Sequence, residues 1–152
     1  MKDRVEKAVE LFKSGYNCSQ SVVAAFADMY GFTQEQALRM SASFGGGIGR
    51  MRQTCGAACG MFLLAGLEKG AVDGKDREGK AANYALVQQL AEEFRKRNGS
   101  MICAELLGLK KPEGSSTPEA RTEQYYAKRP CAKMVEAVSY THLRAHETGR
   151  NL

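Results

Sequence analysis

The chain has 152 residues, 43% of them hydrophobic and 26% charged, with a formal net charge of +5. That length and balance suit a single domain able to bury its own core. The longest apolar run, Ala58 to Leu67, is about half of the roughly 20 residues a membrane-spanning helix needs. The opening MKDRVEKAVELF alternates charged with apolar residues, unlike a secretory signal, so a cytoplasmic protein without membrane insertion is expected. Basic residues are scattered along the chain with no block of like charge, and nothing in them demands nucleic acid.

Apolar spacing reads as helix nearly throughout. Val5, Ala8, Val9 and Phe12 form one stripe of a first helix, which Ser14 and Gly15 stop. A second helix is expected from about Ser19 to Tyr30, on Val22, Val23, Phe26 and Met29, with Gly31 in the left-handed position after it. Thr33 caps a third, with Gln36 as its capping-box partner. FGGGIGR, Phe44 to Arg50, then breaks regular structure. A fourth helix is expected from Thr54 through Leu67 to Gly70. Asp76 caps the longest, to about Asn98, with Tyr84, Val87, Leu90, Ala91 and Phe94 on its inner face. Ser100 caps a short helix through Leu107, KKPEGSSTPEA is a loop, and Thr117–Pro118 starts the next helix. Pro130 opens a last one, CAKMVEA. No alternating strand pattern occurs, and the fold class expected is all-α, a single bundle of six to seven helices.

The closing stretch VSYTHLRAHETGRNL, Val138 to Leu152, closely resembles translated read-through of a transposon-type sequencing adapter. The expected division is therefore a helical domain over 1–137, its last helix cut short, and a non-native tail over 138–152. The only histidines, His142 and His146, lie in that tail. Without it the chain carries 20 basic and 16 acidic side chains, net +4. A histidine-free domain cannot run Ser-His-Asp or Cys-His chemistry or bind zinc through HExxH. Zinc on thiolates alone would show paired CxxC knuckles, and none occurs.

Sulfur remains. Cys18 falls at the start of the second helix, Cys55 directly after Thr54, Cys103 three residues after Ser100, and Cys131 directly after Pro130. Helix N-termini present unpaired N–H groups and the positive end of the dipole, which lower a thiol's pKa. Cys59 lies one turn deeper than Cys55 on the same face. The long separations between cysteines point to a site assembled by the fold, and five cysteines are far fewer than a secreted disulfide scaffold carries.

The order Cys18 in YNCSQSV, FGGGIGR followed by CGAACG at Cys55–Gly60, Cys103 in SMICAELLG and Cys131 in KRPCAKMV resembles the C_GCAxxG_C_C family. These are small proteins regarded as redox-active and often encoded beside oxidoreductases or transporters. The resemblance covers Cys18 to Ala137. It implies that Cys18, Cys55, Cys103 and Cys131 are the four motif cysteines, with Cys59 at a variable position. It also implies a redox partner protein, or an oxidoreductase or transporter subunit, as the binding partner.

Three chemistries fit these residues. In dithiol–disulfide exchange, Cys55 is the expected nucleophile because the glycine loop leaves its sulfur accessible, and Cys18, Cys103 or Cys131 resolves the mixed disulfide. A Cys55–Cys59 bond would strain the helix. The same four cysteines could instead ligate a two-iron or four-iron iron–sulfur cluster, although their spacings of 37, 48 and 28 lack the close-set ligands of ferredoxins. The third reading is a helical interaction module whose cysteines only pack. Gly46, Gly47, Gly49 and Arg50, with Arg52, form either a cofactor or anion cradle or a zone of close backbone packing beneath the cysteines. Tyr16, Tyr125 and Tyr126 read as packing residues.

Overall fold

The structure, a computed structural model, describes residues 2–109 and 115–148. Eight α-helices occur among them: α1 Lys2–Lys13, α2 Cys18–Phe26, α3 Gln34–Ser41, α4 Gly56–Lys69, α5 Arg77–Asn98, α6 Cys103–Leu106, α7 Glu123–Lys128 and α8 Cys131–Thr148. The all-α class follows from the sequence as expected. None of the described helices is long and apolar enough to cross a membrane.

Two helices are apolar on every side, and these form the centre. In α2, Ser19 and all of Ser21–Phe26 are buried, and in α4 so are Gly56–Met61, Leu64 and Ala65. They cross closely because Gly60 of α4 has no side chain: a Cβ there would sit 3.1 Å from Val22 Cβ and 3.2 Å from the Ser19 carbonyl. Around this pair, α1 and α3 pack on α2, α5 packs on α4, and α8 touches α1, α2 and α4. Amphipathic α1 buries Ala8 and Phe12 while Glu6, Lys7 and Glu10 face water. Each fully buried Phe, Leu or Val in this core contributes about 1.5–3 kcal/mol.

Several helix ends follow the expected chemistry. The Thr33 hydroxyl accepts from the Gln36 N–H at 3.1 Å, the Gln36 amide oxygen accepts from the Thr33 N–H at 2.9 Å, and Asp76 accepts from the Gly79 N–H at 2.8 Å. Gly31 and Gly99 end their elements in the left-handed region, at φ 79° and 87°.

Other expectations are corrected. The second helix ends at Phe26 and tightens into a 3-10 turn, Ala27–Tyr30. The cap position of α4 is Cys55, since Thr54 is engaged in an antiparallel backbone bridge with Ile102. Ile102 holds the cap position of α6, and Ser100 instead accepts from the Ile102 N–H at 2.9 Å. Helix α7 starts not at Thr117–Pro118 but after Thr122, whose hydroxyl accepts from the Tyr125 N–H at 3.1 Å. Tyr84 is 60% exposed because α5 is buried only from Leu86 onward, at Leu86, Leu90, Ala91 and Phe94. Of the expected KKPEGSSTPEA loop, residues 110–114 lie outside the described residues.

The last helix does not stop at Ala137. It continues to Thr148, because Val135, Val138, His142 and Leu143 recur at three- and four-residue intervals and bury their side chains. His142 packs edge-on against Phe26 at 4.9 Å, and its Nε2 lies 2.8 Å from the Tyr30 hydroxyl. His146 Nδ1 lies 3.0 Å from Glu68.

Candidate functional site

Four helix starts converge on one cavity of about 60 Å³. Cys18 is the first residue of α2, Cys55 the cap residue of α4, Cys103 the first of α6 and Cys131 the first of α8, and all four line that cavity. Neither His142 nor His146 does. All five cysteines carry free thiols. Cys59 stands apart: its thiol donates to the Thr54 carbonyl at 3.9 Å, and burial pushes it up to about 11.

Local chemistry places each cysteine. Asn17 caps α2 in a reciprocal box with Gln20, its Oδ1 accepting from the Gln20 N–H at 2.9 Å, and its amide donates to the Ala42 carbonyl at 3.0 Å. Cys18 is thereby held at the first helical position. Cys55 and Cys103 are drawn together by backbone pairing. The Cys55 N–H donates to Met101 at 2.7 Å, and the Cys103 N–H donates to Gln53 at 2.6 Å. Cys131 follows Pro130, whose carbonyl accepts the first bond of α8 from Met134 at 3.0 Å.

The glycine loop packs beneath this assembly. Gly46, Gly47, Ile48, Gly49 and Arg50 form an unbroken left-handed turn with φ between 57° and 74°. Glycine tolerates that conformation, whereas Ile48, Arg50 and Arg52 carry local strain in it. A Cβ on Gly47 would lie 2.6 Å from Cys103 Cβ, and one on Gly56 would lie 2.9 Å from the Phe44 carbonyl and 3.4 Å from Cys18 Cβ. Of the two roles open to the loop, close packing is the one the geometry favours. The N–H groups of Ile48, Gly49, Arg50, Met51, Arg52 and Gln53 all donate to carbonyls within residues 43–48, so none of these six is directed at an anion. Gly46 and Gly47 line the cysteine cavity, whereas Gly49 and Arg50 do not.

Electrostatics separates the four thiols. Cys55 is only 6% exposed, and burial pushes it up to about 12, with the N–H groups of Ala58 and Ala57 opposing the rise. The expected accessibility of the Cys55 sulfur is therefore corrected: the residue is buried. Cys103 is also buried and raised by desolvation, partly offset by Arg52, whose Nη1 lies 3.6 Å from its sulfur. Cys18 and Cys131 are half-buried and line the same cavity, each as the first residue of its helix. Cys18 keeps its proton and is pushed up, while Cys131 is pulled down to about 7. The causes at Cys131 are the Cys18 hydrogen bond first, then Arg129, Arg121 and Arg52, all against a desolvation cost.

The arginines carry a signal that sequence reasoning missed. Arg121 is pinned by donating to the Phe12 carbonyl at 2.7 Å and the Tyr16 carbonyl at 2.8 Å, and it lies over the rings of Phe12 and Tyr125. Arg129 stacks over Tyr125 at 4.9 Å and pairs with Glu119. Arg129 could have been noticed two residues before Cys131, but nothing local announces Arg121, which reaches the site across more than a hundred residues of chain.

The family comparison agrees with this construction. Residues 16–142 match the family described as "Putative redox-active protein (C_GCAxxG_C_C)". The chain belongs to the C_GCAxxG_C_C family. The matched span holds all four cavity cysteines and reaches five residues past Ala137, to His142. A redox role, the property the family is named for, accords with a cavity walled by thiols. No curated protein and no solved structure matches the chain.

Four thiols are chemically suited to iron, but among the described residues no three Cys, His, Asp or Glu side chains are placed to hold a metal ion together.

Proposed function

We propose that this protein performs thiol–disulfide exchange with Cys131 as the attacking thiolate and Cys18 as the resolving thiol. One observation carries the reading: the two least buried of the four cysteines open onto the same small cavity, whose wall also holds Arg52, Arg121 and Arg129, and these guanidinium groups favour the thiolate form of Cys131. A thiolate, not a thiol, is the nucleophile, and a pKa close to ambient pH gives the fastest attack.

In the first step the Cys131 thiolate attacks one sulfur of a substrate disulfide. A bond forms from Cys131 to that sulfur, the substrate's S–S bond breaks, and the other half leaves as a thiolate that takes a proton from solvent. In the second step Cys18 loses its proton and attacks the Cys131 sulfur. The Cys18–Cys131 disulfide forms and the second half of the substrate is released and protonated. The protein dithiol is oxidised by two electrons and the substrate disulfide is reduced to two thiols. Cys55 and Cys103, buried and raised, frame the pair.

The reading is tested by treating the reduced Cys18→Ser chain with hydroxyethyl disulfide and mapping the adduct by peptide mass spectrometry. A stable mixed disulfide is expected at Cys131. An adduct first at any other cysteine, or at none of the three remaining cavity cysteines, overturns the assignment.

A further inference from the structure

A second, larger cavity of about 280 Å³ adjoins the thiol cavity, and the two share a wall that includes Gly46, Arg52, Arg121, Tyr125 and Arg129. Its charge is lopsided. Four guanidinium groups, Arg50, Arg52, Arg121 and Arg129, line it among the described residues, against the single carboxylate of Glu119. The arginines are positioned by protein contacts. Arg50 donates to the Ser115 carbonyl at 2.8 Å and lies 3.3 Å from Glu119, which also pairs with Arg129. One carboxylate thus bridges two guanidiniums on the cavity wall.

The sizes of the two spaces divide a substrate in two. About 60 Å³ admits a sulfur and little more than a methylene arm, and the adjoining larger cavity offers room for the body of a disulfide reaching Cys131. Planar guanidinium groups there favour carboxylate or phosphate oxygens over neutral or cationic groups. We infer that the arginine-lined cavity is a substrate-selecting vestibule and that the disulfide reduced at Cys131 is a small anionic one, bearing a carboxylate or a group of like charge a few bonds from its sulfur. Glu119 occupies the anion's place when the vestibule holds no substrate and yields the guanidiniums of Arg50 and Arg129 when one enters. This inference rests on the thiol-exchange reading of the preceding subsection.

Three short dialkyl disulfides test it on the full chain, with formation of the Cys131 adduct followed in the Cys18→Ser background: dithiodipropionate, an anion; hydroxyethyl disulfide, neutral; and cystamine, a cation. The anionic probe is expected to react about tenfold faster than the neutral one at low ionic strength, with cystamine slowest. The spread should collapse toward unity at about 1 M salt. Arg50→Gln should lower the ratio of anionic to neutral rates several-fold, and Glu119→Gln should raise it. Equal rates for all three probes, or cystamine reacting fastest, overturn the vestibule while thiol exchange stands, because the neutral probe still reacts. Failure of the neutral probe to modify Cys131 overturns thiol exchange itself, and the vestibule's role falls with it.

Discussion

Replacing Cys18 by alanine should move the acidity of Cys131 more than any other single change. The Cys18 hydrogen bond is the first of the causes holding Cys131 near 7, ahead of Arg129, Arg121 and Arg52. An ordinary thiol sits near 9.0, so the surroundings of Cys131 favour its thiolate. In the alanine variant the arginines remain, as does the desolvation cost. If only one pH unit is lost, the thiolate fraction at neutral pH falls about fivefold; if the whole shift is lost, it falls about fiftyfold. The assay is the rate of iodoacetamide alkylation at Cys131 between pH 5 and pH 10, read by peptide mass spectrometry. The full chain should show an inflection close to 7, belonging to the Cys18–Cys131 pair rather than to one sulfur. Cys18→Ala should shift the inflection upward by at least about one unit, and Cys18→Ser, which keeps a hydroxyl donor, should restore most of the shift. A native inflection at 9 or above, or one that Cys18→Ala leaves unmoved, would refute the reasoning.

Other consequences bear on the fold. Gly47→Ala should cost upward of about 2 kcal/mol, since its Cβ would lie 2.6 Å from Cys103 Cβ at a φ of 74°, whereas Gly66→Ala, with open space around its Cβ, should be neutral or stabilising by up to about 1 kcal/mol; urea melts of both variants check the pair. His142 is held neutral by burial, down to about 4, while in the unfolded chain it titrates near 6.5. Stability present above pH 6.5 should therefore fall as pH drops toward 4, by about 3 kcal/mol, and His142→Leu should remove that part of the loss in denaturant melts at the two pH values. A chain ending at Ala137 lacks the buried side chains of Val138 and Leu143, which at about 1.5–3 kcal/mol each should lower its melting temperature sharply; an unchanged melt would show that 138–148 contributes nothing.

Helix content and most helix ends were legible because they depend on neighbours in the chain. Thr33 with Gln36, Asp76 before α5 and Gly31 after Tyr30 act within four residues, and the structure places them as read. The Asn17–Gln20 box has the same logic and was equally readable. The four cysteines could be assigned to helix starts for the same reason. Their ranking could not, because it is set by contacts between distant segments. Cys55 is buried by a left-handed loop whose path depends on backbone bonds such as Gln53 to Gly47, and Cys131 is tuned by Arg121, held in place by carbonyls of Phe12 and Tyr16. Helix α8 outran its expected end because apolar spacing alone, continued through Val138, His142 and Leu143, was enough to bury one face of the stretch. Tyr84 fits the stripe by spacing, yet α5 is buried only from Leu86 onward, and a stripe says nothing about where its burial begins.

The pairing of Cys131 with Cys18 is tested most directly by disulfide mapping. The reduced, full-length protein is oxidised with a small excess of hydroxyethyl disulfide, remaining thiols are blocked at low pH, and linked peptides are identified by mass spectrometry. The expected product is a single Cys18–Cys131 disulfide with Cys55, Cys59 and Cys103 still reduced. A bond joining Cys55 to Cys103, or any first-formed disulfide that omits Cys131, would contradict the assignment.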